Sequence, residues 1–132
     1  MGANEKQVAG DHYRAKLQHW DFVVMMKLNY FEGQITKYVT RHRKKNGIQD
    51  LEKALHFAEK HLELLNTGAI PYTLGPMVES PLMARIALRD FIAANELSGL
   101  EADIIEEVCL HEPSMVVGLL NKLIEQERAR NG

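Results

Sequence analysis

Lys37, Arg41 and Lys44 recur at i, i+4 and i+7 within the stretch from Gly33 to Ala54, a spacing that places all three on one face of an α-helix. Cations gathered in this way suit phosphate oxygens. An ammonium neutralises charge, and a guanidinium holds one phosphate through two parallel N–H bonds. Lys45 and Lys53 follow closely enough to form a second rank. The chemistry implied is capture of a phosphate-bearing ligand, and a solvated helix flank is the plain alternative. Upstream, His12-Tyr13 and His19-Trp20 add aromatic and titratable groups. Tyr13 and Trp20 can stack on a base, since every nucleobase has a flat face; burial in the core is the competing role for Trp20. His12 and His19 are candidate acids or ligands with no partner visible in the sequence. Glu59 and Glu63, also i, i+4, can share a metal, but surface pairs with the interleaved Lys and His are the favoured reading of that helix, and no metal is signalled.

The common phosphate-handling and hydrolytic motifs are absent: no GxxxxGK[ST], GxGxxG, HExxH or GxSxG occurs. Any phosphoryl transfer would then rest on positioning and on cations that neutralise phosphate charge.

These residues need elements to hold them. Trp20, Val23, Val24 and Leu28 follow helical spacing and predict a first helix over Gln18 to Leu28. Phe31, Ile35, Tyr38, Val39 and His42 predict a second, which Asn46-Gly47 stops, with Gly47 suited to a left-handed cap. Asp50 is the expected N-cap of a third, whose apolar stripe runs through Leu51, Ala54, Leu55, Ala58, Leu62 and Leu65 to a stop at Gly68. Prolines and glycines then crowd residues 67–80, which read as a linker. Ser80-Pro81 opens a fourth helix, "SGLEADIIEEVCLHEP" holds a short fifth that ends before Pro113, and "SMVVGLLNKLIEQERAR" gives a sixth. Period-two alternation is missing. The expectation is an all-α bundle of five or six helices, with a helical domain over 1–66, the linker over 67–80 and a packing or oligomerisation segment over 81–132.

Composition narrows the classes further. The chain has 132 residues and a formal charge of −2, but the charge is divided. Residues 1–66 hold 11 Lys and Arg against 8 Asp and Glu, with five of the six histidines; residues 67–132 hold 5 against 10. A broad polyanion footprint is therefore disfavoured and nucleic acid is an unlikely partner class, whereas a local anion site or head-to-tail association of copies fits. Amphipathic helices in a chain this small point to a homo-oligomer. Apolar runs are short, so no membrane span is expected. The N-terminus lacks a leader-like apolar core, and Lys6 stands where myristoylation requires Ser or Thr. The lone Cys109 lies between Val108 and Leu110, which predicts a buried structural thiol and a reducing, cytoplasmic compartment.

Taken in order, His12-Tyr13, Gly33, Lys37-Tyr38, Arg41, Lys44-Lys45 with Gly47, Asp50-Leu51 and Lys53-Ala54 resemble a small phage-encoded nucleotide-kinase-like family, over residues 11–65. His19-Trp20 departs from a Pro-containing segment usual there, and Phe57 stands where Tyr is common. The resemblance implies nucleotide handling in the cytoplasm of an infected bacterium, with activity as a (deoxy)nucleoside monophosphate kinase. Lys37, Arg41 and His12 would then be catalytic, Lys37, Arg41, Lys44, Lys45 and Lys53 would hold phosphate, and Tyr13, Trp20 or Tyr38 would contact the base. Asp50 and Gly47 would be structural caps. A nucleotide would be the ligand and a nucleotide donor the co-substrate, with no signal for Mg. The alternative is a non-catalytic sponge that sequesters a host immune signalling nucleotide, and a third reading docks the basic helix on an acidic partner.

Overall fold

Asn29 opens the helix that carries the basic stripe. Its Oδ1 accepts from the Glu32 N–H at 2.9 Å while Glu32 Oε1 accepts from the Asn29 N–H at 2.9 Å, a reciprocal capping box that satisfies two otherwise orphaned donors. The computed structural model describes residues 18–71 and 80–131. Among them lie six α-helices and no strand: α1 (His19–Met25), α2 (Tyr30–Arg41), α3 (Ile48–Asn66), α4 (Pro81–Ala94), α5 (Leu100–Cys109) and α6 (Pro113–Asn131), with a 3₁₀ turn at His42–Lys44 between α2 and α3. The all-α expectation holds.

The helices form a shared core. α2 packs most extensively on α3, α3 on α6, and α5 on both α6 and α2, while α1 and α4 pair at the edge. Ile35 and Val39 from α2, Leu51, Ala54 and Ala58 from α3, Ile104, Ile105 and Val108 from α5, and Val116, Leu120 and Leu123 from α6 are all buried in it. The Phe22 and Phe91 rings stack at 4.1 Å and join α1 to α4. Cys109 is buried and free, as expected. No helix of the described residues is long and apolar enough to cross a membrane.

Two boundaries differ from the sequence expectation, each for a local reason. α1 stops at Met25 instead of Leu28, because Lys27 adopts a left-handed conformation (φ 54°) and Leu28 N–H turns back to the Val23 carbonyl at 3.0 Å. α3 starts at Ile48, so Asp50 is not its N-cap. Gly47 takes that position at φ 58°, a conformation suited to glycine, and the Asp50 carboxylate turns inward instead. Ser80 and Pro81 behave as expected, with Ser80 Oγ accepting from the Met83 N–H at 3.3 Å.

Candidate functional site

The α2–α3 hairpin brings Lys37 and Arg41, which share a helix face by spacing, together with Lys53 of the second rank. Lys37 Nζ lies 4.7 Å from the centre of the Tyr38 ring, the Arg41 guanidinium carbon 4.8 Å, and Lys53 Nζ, arriving from α3, 5.6 Å. Each contact is worth roughly 0.5–1 kcal/mol at an exposed site. Together they gather like charges around one aromatic ring. Tyr38 also stacks on Phe57, centroid to centroid 6.0 Å and 15° from parallel. Sequence spacing put Lys37 and Arg41 on one face; only the fold adds Lys53.

The charges in this ring are unequally balanced. Asp50 is fully buried and accepts from Arg41 Nε at 3.2 Å and Nη2 at 3.3 Å. Its Oδ2 also accepts from the Asn46 N–H at 3.2 Å. Burial pushes the Asp50 carboxyl up, but the Arg41 and Asn46 hydrogen bonds outweigh it and hold the group below the usual carboxylate range. Asp50 thus clamps the turn that carries Lys44 and Lys45, both exposed. Lys37 and Lys53 form no ion pair among the described residues. The arrangement leaves a net positive charge around Tyr38, with Arg41 alone held by hydrogen bonds.

Lys44 lies beyond the end of α2, in the 3₁₀ turn, so the α-helical stripe expected to run through Lys37, Arg41 and Lys44 stops at Arg41. Trp20 is 56% exposed on α1, outside the core. His19 Nε2 lies 2.8 Å from Thr36 Oγ1; because the Thr36 hydroxyl donates to the Gly33 carbonyl at 3.1 Å, the imidazole is the donor. Burial, with nearby Lys37 adding to it, holds His19 below its ordinary value and hence neutral. His12 and Tyr13 lie outside the described residues.

Sequence reasoning missed the aromatic partners and two buried polar clusters. Tyr30, Phe31 and Phe57 meet at centroid separations of 5.5 to 6.5 Å beside Tyr38. Their spread over two helices hid this; the spacing of Tyr30, Lys37 and Arg41 at i, i+7 and i+11 was the available signal. In the first polar cluster His111 Nδ1 donates to Glu32 Oε2 at 2.5 Å, and Asn29 Nδ2 donates to His61 Nε2 at 3.1 Å. A small cleft bordered by Glu32, His61 and His111 separates α3 from the start of α6. In the second, His42 donates to Glu101 at 2.6 Å and Arg43 to the same carboxylate at 2.9 Å, tying the 3₁₀ turn to α5. No group of three or more His, Cys, Asp or Glu among the described residues is arranged to hold a metal.

Neither a curated protein nor a solved structure matches the chain. Residues 9–59, the segment that contains α1, α2 and the basic turn, are similar to the family described as "Protein of unknown function (DUF3310)".

Proposed function

We infer that this protein binds a nucleotide through the cation ring of Lys37, Arg41 and Lys53, and acts on it as a (deoxy)nucleoside monophosphate kinase without a Walker-type loop. The observation that carries the reading is the convergence of three cations from two helices on one aromatic ring, with two of them lacking an acidic partner among the described residues. The ordered resemblance of His12-Tyr13, Lys37-Tyr38, Arg41, Asp50-Leu51 and Lys53-Ala54 to a small phage-encoded nucleotide-kinase-like family is in keeping with it. In the reaction the terminal phosphoryl group of a nucleoside triphosphate passes to a phosphate oxygen of the monophosphate, leaving two diphosphates. The cations neutralise the charge on the transferred group. The setting is the cytoplasm of an infected bacterium. Self-association belongs to the same reading, and the exposure of Leu82, Met83 and Ile86 along α4 supports it.

One observation favours the non-catalytic alternative, sequestration of a signalling nucleotide in defence of a phage. The Nε and Nη2 edge of Arg41 is engaged by Asp50, which suits static binding more than movement with a reacting phosphate. Incubation with deoxynucleoside monophosphates and a triphosphate donor, followed by chromatography, separates the two. The kinase produces diphosphates at a rate that Arg41→Ala lowers. A sponge binds and leaves the nucleotides unchanged.

A further inference from the structure

Tyr30 is the first residue of α2 and is 65% exposed, although it makes edge contact with Phe31 at 5.5 Å and Phe57 at 5.9 Å. An aromatic side chain held in place by two others, with most of its surface open to solvent, is a ready platform for a flat ligand. Its position on α2 gives it a direction. Tyr30, Gln34, Lys37 and Arg41 fall at i, i+4, i+7 and i+11, one continuous stripe of the helix. Tyr38 itself is already stacked on Phe57 and ringed by cations.

The stripe sets a length. Seven residues of α-helix separate Tyr30 from Lys37, a rise of about 10 Å. A base lying on Tyr30 would carry its ribose over Gln34. On that rise its β- and γ-phosphates would lie nearer the cation ring than its α-phosphate. The charge there favours the same ligand, because a polyphosphate supplies several negative groups to Lys37 and Lys53 together.

We propose that the Tyr30–Arg41 stripe is a site for a nucleoside triphosphate, with Tyr30 as the base platform and Lys37, Arg41 and Lys53 around the β- and γ-phosphates. This rests on the nucleotide-binding reading and sharpens it: the ring holds the polyphosphate nucleotide, which is the donor if the protein is a kinase and the sequestered ligand if it is not.

The test is calorimetry with one adenine series, adenosine and its mono-, di- and triphosphates, at fixed ionic strength. Affinity rises with phosphate number, and the triphosphate binds at least tenfold more tightly than the monophosphate. Tyr30→Ala weakens triphosphate binding by about tenfold, the scale of losing one base–aromatic stack. Tyr30→Trp retains binding, and circular dichroism of both variants checks the fold. Equal affinity for mono- and triphosphate, or an unchanged affinity in Tyr30→Ala, overturns the proposal while nucleotide binding stands. Binding of no member of the series by the wild-type protein overturns it together with the reading beneath it.

Discussion

Arg41 is locked to Asp50 through both Nε and Nη2, at 3.2 and 3.3 Å, so the cation that completes the ring around Tyr38 is fixed by the residue that secures the following turn. One carboxylate, fully buried, serves the position of Arg41 and the backbone of Asn46 at once. Asp50→Ala is therefore expected to cost about 2 kcal/mol, below the value for a fully buried pair because Arg41 is 34% exposed. Urea denaturation measures it, and a loss under about 0.5 kcal/mol would mean that the clamp contributes little.

Gly33 sits inside α2, where a Cβ would meet the Val23 methyls at 3.6 and 3.7 Å, an ordinary contact. Gly33→Ala should raise stability by about 0.5–1 kcal/mol through helix propensity alone. A decrease in the denaturation midpoint would show that α1 needs a closer approach to α2 than the contact distances indicate.

Stability should fall on the acid side in two stages. Burial holds His19 and His61 below their ordinary value, so the unfolded chain takes up their protons first and stability declines as pH drops below about 6.5. Asp50 and Glu101 are also held low. Burial opposes this, but hydrogen bonds from Arg41 and Asn46 to Asp50, and from His42 with the Arg43 charge to Glu101, prevail. Their contribution is present above about pH 4 and is lost as pH falls through their lower folded values. Glu107, raised by burial and by Glu112, Glu106 and Asp103, acts in the opposite sense over the second stage. Thermal midpoints measured from pH 7.5 to 3 test this; a constant midpoint between pH 7 and 5 would contradict the lowered values of half-buried His19 and buried His61.

Cys109 is 2% exposed, and burial, with Glu32 and Glu106 nearby, pushes its thiol up to about 12. It should react with a thiol reagent only as the protein unfolds, so the labelling rate should track the unfolded population through a urea titration. Fast labelling in buffer would place the thiol nearer the surface than the core packing does.

Much of this architecture was legible beforehand, and the exceptions have physical reasons. Periodicity located every helix, and Ser80-Pro81 and Gly47 marked turns that the fold uses. The helix ends at Lys27, Glu96 and His111 were not legible, because each adopts a left-handed conformation normally signalled by glycine. Asp50 has the residue type of an N-cap, yet its oxygens are drawn inward by Arg41, nine positions earlier. For the candidate site, helical spacing yielded the α2 half, Lys37 and Arg41. Lys53 and Phe57 join only when α3 folds back, and no local pattern encodes that. The His111–Glu32 and His42–Glu101 pairs span 79 and 59 residues, beyond the reach of any spacing rule.

If the cations around Tyr38 hold nucleotide phosphate, as we propose, Lys37 and Lys53 should carry much of the affinity. Calorimetric titration of the wild-type protein and of a Lys37→Ala, Lys53→Ala double variant with a nucleoside triphosphate measures this. Both lysines are free of acidic partners among the described residues, so the variant should fold normally. The wild type should bind, and the variant should lose at least tenfold in affinity, about 1.4 kcal/mol or more. Equal affinity in the two proteins would contradict the proposal.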